Sequence, residues 1–342
     1  MKKITNLVLV LLISIAAHAQ SDSEPYLVKS LSKETIKDLY VRTSGGGITV
    51  SGVPSPETRV EVYIKGNNRE ELSKDEIKRR LDEDYELEVS VSGSKVTAIA
   101  KPRTFNVSSR RQLNISFKIY VPKNISTDLS TSGGGIDLTN LSGTLNFSTS
   151  GGGLHLDKLS GKISGKTSGG GITVTDSHDD IDLATSGGGI RADNCSGTII
   201  LNTSGGSIDL ESLKGMIRAR TSGGSVRGEG ISGELVTHTS GGSVTLRNLS
   251  GSVNASTSGG NMDIEIDQVD KYVTASNSGG NISLRIPKDK GMDLRLRGEK
   301  IKVDALQNFS GEQDEHSLRG KINGGGVPVE VQTSGSITLA FQ

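Results

Sequence analysis

Thr131-Ser132-Gly133-Gly134-Gly135-Ile136 decides the architecture, because it returns at a fixed interval. Its Thr-Ser-Gly-Gly start recurs at Thr149, Thr167, Thr185, Thr203, Thr221, Thr239 and Thr257, each 18 residues after the last. Asn277-Ser278-Gly279-Gly280 follows 20 residues after Thr257. A period of this length, held without insertions, marks a solenoid in which each unit packs only on its neighbours.

Counting the threonine as slot one, slot six is apolar throughout: Ile136, Leu154, Ile172, Ile190, Ile208, Val226, Val244 and Met262. Slot eight is mostly apolar, with Gly228 as an exception, and slot fifteen runs Leu145, Ile163, Ile181, Ile199, Ile217, Leu235, Val253. Slot seventeen is mixed, from Phe147 and Leu183 to Gly165 and Thr237. Apolar residues two apart predict strands with one buried face.

Between these pairs lie Gly133-Gly134, Gly151-Gly152, Gly169-Gly170, Gly187-Gly188, Gly205-Gly206, Gly223-Gly224, Gly241-Gly242 and Gly259-Gly260. Ser-Gly dipeptides such as Ser142-Gly143 and Ser160-Gly161 usually fill slots twelve and thirteen. Glycine serves where positive φ or close backbone approach is required, so each unit reads as strand, turn, strand, turn. Stacked units would pair in parallel about 4.8 Å apart. A left-handed hexapeptide solenoid needs an apolar slot every six residues, which this pattern lacks. The expected fold is therefore all-β: a right-handed single-stranded parallel β-helix (β-solenoid) with 18-residue coils and one small helical insertion.

The chain opens with Lys2 and Lys3, an apolar run from Leu7 to Ala16, and Ala17-His18-Ala19, which together predict a cleaved export signal over 1–19. Residues 20–130 read as less regular N-terminal coils and a cap. They include an early motif copy at Val41–Val53 and alternation at Arg59–Ile64, Glu86–Val91, Lys95–Ala100 and Leu113–Val121. Ser73-Lys74-Asp75-Glu76 is a capping box and predicts a surface helix over Glu70–Asp84. Residues 131–286 form the regular solenoid. Residues 287–342 lose the period and read as a second cap, closing with strands at Val327–Glu330 and Ser336–Phe341.

Composition narrows the function. The 39 basic and 39 acidic side chains cancel, which argues against a nucleic-acid or anionic-membrane partner. Tryptophan is absent and aromatics are 3%, which disfavours a stacking platform. No later segment is apolar enough to span a membrane as a helix. The single cysteine, Cys195, shares the slot of Leu159 and Leu213 and reads as a buried thiol.

No catalytic residue, metal site or cofactor is expected. A phosphate loop needs a helix after its glycines, and here a strand follows. A calcium β-roll needs aspartate where Leu138 and its equivalents stand. Ice binding through a threonine ladder requires outward threonines, whereas the alternation points the slot-one residues inward. One unit departs from the rest: Asp176, His178, Asp179, Asp180 and Asp182 crowd one stretch. Such a cluster can ligate metal or transfer protons. A polar turn that has lost its glycine gives the same residues. Along slot seven, Asp137, His155, Thr173, Arg191, Asp209, Arg227, Thr245 and Asp263 vary in sign and form no single-charge stripe.

The Thr-Ser-Gly-Gly-Gly-Ile repeats, with Lys118-Ile119-Tyr120-Val121-Pro122-Lys123 and its echo Ile286-Pro287-Lys288, resemble the bacterial adhesin-type family of exported β-strand-repeat proteins of unknown function. The resemblance spans roughly Asp38 to Gln342. It implies a single-stranded β-helix at the cell envelope, and brings no catalytic residues. The expected role is a non-enzymatic exported envelope or secreted protein, periplasmic or outside the cell, whose faces adhere to a protein or glycan or serve a structural end. The alternatives are a β-helix carbohydrate-active enzyme working through Asp176–Asp182, and an ice-binding protein.

Overall fold

Backbone hydrogen bonds link every described strand into one sheet that winds on itself as a solenoid. The computed structural model describes residues 24–67, 70–104, 107–304 and 306–342. The export signal expected at 1–19 lies outside them. In the regular region a short strand (Ile136–Thr139, Leu154–Asp157, Ile172–Thr175) alternates with a longer one (Ser142–Thr149, Ser160–Thr167, His178–Thr185). Each pairs in parallel with its equivalent one motif later. Leu145 thus lies beside Ile163 and Ile163 beside Ile181; Leu154 lies beside Ile172 and Ile172 beside Ile190. All eight slot-six side chains are at most 2% exposed. Burying such aliphatic columns contributes about 1.5–3 kcal/mol per side chain.

The threonines face inward, as the alternation predicts, and the contacts explain why threonine is used. Thr149 Oγ1 donates to the carbonyl of Gly134 in the preceding coil at 2.7 Å and accepts the Gly152 amide of its own turn at 3.3 Å. The same two bonds recur at Thr167, Thr185, Thr203, Thr221 and Thr239. Asn277 reproduces them with its amide, donating to Gly260 and accepting from Gly279 and Gly280. All eight hydroxyl-bearing side chains from Thr131 to Thr257 are at most 6% exposed, so an outward ice-binding rank of threonines is not formed.

The two glycines of each pair do different work. A Cβ on Gly188 would stand 2.2 Å from the carbonyl oxygen of Gly170, and the same clash, at 2.0–2.2 Å, follows the second glycine from Gly134 to Gly260. A Cβ on Gly187 would sit at an ordinary 3.5 Å from Gly169. The requirement at this turn is close approach of stacked backbones, not positive φ. The second turn lies elsewhere than expected. Ser142-Gly143 and its equivalents begin the longer strand, and the chain reverses at slot ten in the left-handed region: Asn140, Lys158, Asp176, Asn194, Ser212, Gly230 and Asn248 all have φ between 49° and 65°. Short polar side chains tolerate that conformation better than apolar ones.

Irregular core slots are filled by neighbours. Gly165 is open because the Phe147 ring lies over it, where a Cβ would meet Cε2 at 2.1 Å. Ile231 and Leu246 likewise close on Gly228. The two extra residues before Asn277 are absorbed by register shifts between Leu246 and Val253.

At both ends the spatial order departs from chain order. Asp38–Thr43 and Ile48–Gly52 stack on the Thr131 coil on one side (Thr43 beside Thr131, Ile48 beside Ile136). On their other side lie later strands, Lys95–Pro102 and Leu113–Val121. Val327–Thr333 and Ser336–Phe341 slot between the coil of Val273–Ile286 and the earlier strands Met292–Arg297 and Lys300–Val303. The first and last described coils are thus held from both sides. Antiparallel strands then terminate the ladder: Tyr85–Ser92, and Arg59–Gly66 followed by Leu27–Ser30, at one end, Ser317–Ile322 and Phe309–Gln313 at the other. The helix runs Lys74–Asp84, starting later than Glu70 because Ser73, extended at ψ 151°, caps the Glu76 amide. Ile77 and Leu81 bury its inner face.

Gly188→Ala should destabilise by about 3 kcal/mol or more, against less than about 1 for Gly187→Ala. Thr203→Val, which strands a carbonyl and an amide, should cost about 1–3 kcal/mol. Urea melts monitored by circular dichroism of the three variants check both, and equal effects at Gly187 and Gly188 would remove the close-approach account.

Candidate functional site

The Asp176–Asp182 stretch is set by the slot pattern just described. Asp176 takes the left-handed turn (φ 49°), where its Oδ1 accepts from Asn194 Nδ2 at 2.6 Å and its Oδ2 stands 4.0 Å from Lys158 Nζ. Ser177 replaces the usual slot-eleven leucine; it is buried, donating to the Thr175 carbonyl and accepting the Leu159 amide. His178, Asp179, Asp180 and Asp182 lie on the following strand, all exposed, while Ile181 and Leu183 enter the core.

Asp179 occupies the slot held by Gly143, Gly161, Gly197, Gly215, Gly233 and Gly251, and it keeps their positive φ, at 81°. Its carboxylate accepts the Gly161 amide at 2.9 Å and faces His178 Nδ1 at 3.1 Å. These two contacts, the amide foremost, hold the carboxyl below the usual carboxylate range. In the flanking coils Asp180 is met by Lys162 and Thr198, and Asp182 by Ser164 and Ile200. The carboxylates therefore stand along one coil rather than facing each other across several. Among the described residues, no three His, Cys, Asp or Glu side chains group closely enough to hold a metal ion.

The other described histidines have structural partners. His155 pairs with Asp137 at 3.0 Å, His238 Nδ1 with Ser256 Oγ at 2.8 Å, and His316 Nδ1 with the Glu299 carbonyl at 2.6 Å. Cys195 is buried as expected, and burial pushes its thiol up. Charges of slots seven and nine join successive coils: Arg191 with Glu211, Arg227 with Asp209 at 3.6 Å, Arg247 with Asp263, and Arg285 with Glu265 at 2.9 Å. Exposed pairs of this kind contribute about 0–1 kcal/mol each.

Three features of the surface escaped the reading of the sequence. The serines of slot two, from Ser132 to Ser258, are all exposed and form a straight row, one per coil. Three tyrosines, Tyr40, Tyr63 and Tyr120, lie on the outer face of the N-terminal strands, each with a cation over its ring. There Arg59 lies 3.8 Å from the Tyr120 ring centre, and the nearly buried Glu61 accepts from Arg59 Nε at 2.6 Å and Tyr63 Oη at 2.7 Å. A hollow of about 580 Å³ lies on the C-terminal strands, bordered by Arg295, Arg297 and Arg319. Composition averages over the whole chain, so it hid these local concentrations. The alternating Arg295-x-Arg297 in a strand was the available signal for the last of them.

The sequence pattern of the Toastrack DUF4097 family matches residues 55–340, which is most of the chain. The chain belongs to this family. Among solved structures, one of a candidate cell adhesion protein from Clostridium sporogenes is similar at 12% identity, covering 92% of this chain and 98% of that one, with a TM-score of 0.23. A search of curated proteins gives no match. No helix among the described residues is long and apolar enough to cross a membrane.

Asp179→Gly should raise stability by about 0.5–1 kcal/mol at neutral pH, because glycine takes the left-handed backbone without strain. Since the folded carboxyl titrates below its unfolded value, its favourable contacts are present above about pH 4 and are lost as pH falls through the lowered value. The advantage of the glycine variant should therefore widen in acid, which thermal melts at pH 7 and pH 3 check. A glycine variant less stable at both would show that the carboxylate contacts outweigh the strain.

Proposed function

We propose that this chain is an exported, non-enzymatic binding protein of the cell envelope or secreted space, whose faces act as an adhesive or structural surface. In this reading its coils are 18 residues long and wind right-handedly, and an export signal at 1–19 is removed. The observation that carries the proposal is the strict register of outward side chains. Parallel pairing one motif apart repeats the same exposed slots along the solenoid, as in the serine row from Ser132 to Ser258. Such rows suit a partner that is itself extended or repetitive, because many weak contacts add when they share a spacing. The buried threonine ladder and interleaved ends support it further, since a surface that transmits load must resist fraying.

A partner of protein or glycan fits the balanced charge better than nucleic acid. The Asp176–Asp182 stretch enters this reading as surface, with Asp179 tied to a backbone amide.

The chain from residue 20 onward should be retained on glycan arrays or on envelope material. Shortening the solenoid by deleting whole units of 18 residues should weaken retention by about tenfold or more as contacts are lost. Full retention by a chain reduced to its two ends would argue against a distributed surface. Polysaccharide cleavage by the intact chain that disappears in Asp179→Asn and Asp180→Asn would replace adhesion by catalysis.

A further inference from the structure

Five strands at the C-terminal end share one outward face. Their register sets a row across it: Thr274 beside Glu330, Glu330 beside Arg295, Arg295 opposite Arg319, and Arg319 opposite Glu312. A second row places Arg297 between Gln332 and Ser317. The face is hollow, enclosing about 580 Å³, while Leu296, Leu318 and Val331 turn into the core beneath it.

Two observations set this hollow apart from the ion-paired outer rows of the coils. Arg295 and Arg319 are directly opposed on antiparallel strands, and like charges in that relation are destabilising. Only Arg295 has a carboxylate within ion-pairing distance, Glu330 at 3.3 Å; among the described residues Arg297 and Arg319 have none. Asp314, at the rim, is committed to its own turn through the His316 and Ser317 amides at 2.8 and 2.7 Å and the Ser317 hydroxyl. Glu312, directly opposite Arg319, also borders the hollow but stands beyond ion-pairing distance of it, so Arg297 and Arg319 make no ion pair and Arg295 shares Glu330.

We propose that this hollow binds the carboxylates of an acidic polysaccharide, a chain of uronic acid residues. Guanidinium groups recognise carboxylates through paired, planar hydrogen bonds, and a bound carboxylate between Arg295 and Arg319 removes their repulsion. Ser276 and Gln332 flank the arginines and supply partners for sugar hydroxyls. An acidic peptide would share the charge, but the apolar side chains here point inward and leave no pockets for a peptide's own. The site rests on the adhesive reading and names its ligand class.

The test uses the full chain and a uronic acid hexasaccharide, with a neutral hexasaccharide and hexaglutamate as comparisons, followed by calorimetry at two salt concentrations. Binding of the uronate alone is expected, weakening with salt. The double variant Arg297→Gln, Arg319→Gln should lose at least tenfold in affinity without a loss of melting temperature, since both side chains are exposed and removing the Arg319 charge relieves its repulsion with Arg295. Glu330→Gln, which frees Arg295, should bind severalfold tighter. No uronate binding, or equal binding of the neutral sugar or of hexaglutamate, overturns the proposal. If the double variant loses the uronate but stays on envelope material, the site stands as one contact among several. If the native chain ignores the uronate yet is retained there, this inference fails and the adhesive reading survives.

Discussion

The distance between stacked backbones at the second glycine of each motif governs the rest of the structure. With 2.0–2.2 Å separating a would-be Cβ from the carbonyl of the previous coil, no other residue fits unless the coils move apart. That closeness brings the carbonyl within reach of a buried hydroxyl. The slot-one threonine then satisfies one carbonyl in the coil before and one amide in its own turn. Glycine and threonine are therefore one device: the first lets the backbones meet, the second replaces the water that such a meeting expels. An unsatisfied buried amide or carbonyl would cost about 1–3 kcal/mol at each coil. Asn277 shows that the geometry, rather than the hydroxyl, is what matters, because an amide side chain there makes the same pair of bonds.

From this follows what could be read in the sequence. Slots six and fifteen betrayed the buried columns because strand alternation maps directly onto residue identity. The inward threonines followed from the same alternation. The glycine pairs lie at bends between strands, where close backbone approach rather than positive φ is their reason. The second turn was misplaced because asparagine marks it only at Asn140, Asn194 and Asn248, while Lys158, Asp176, Ser212 and Gly230 share with them a backbone conformation alone, and a sequence does not print φ. Ser142-Gly143 and its equivalents looked like turns because glycine is a turn residue; there it allows positive φ and close approach within a strand. The interleaved ends were illegible for a different reason. Pairing of residues 38–52 between two later segments, and of 327–341 between two earlier ones, is non-local.

The Asp176–Asp182 stretch shows the same limit at the level of chemistry. Its residue types suggested acid–base or metal work, and only the register reveals that each carboxylate is flanked by lysine, hydroxyl, glycine or apolar neighbours. A solenoid assembles a multi-carboxylate centre when the same slot is acidic in consecutive coils. Slot nine meets that condition at Asp193, Glu211 and Glu229, away from the Asp176–Asp182 stretch, but Glu211 is paired with Arg191, and among the described residues no three such side chains group closely enough to hold a metal ion.

Regularity and specificity are divided along this molecule. A repeat that must keep its glycine, threonine and aliphatic slots has few positions left to vary, and those face outward at a fixed spacing. The regular coils consequently offer repetition, which favours extended partners through number of contacts. The ends escape the constraint: once the strands turn antiparallel, no threonine ladder or glycine contact must be maintained, and side chains of one charge can be brought opposite each other. Asp193, Glu211 and Glu229 stack in register even in the regular coils, but on parallel neighbours one motif apart, whereas Arg295 and Arg319 face each other directly across antiparallel strands. The hollow at the C-terminal end is thus where this architecture is free to build a site with a shape and a charge of its own.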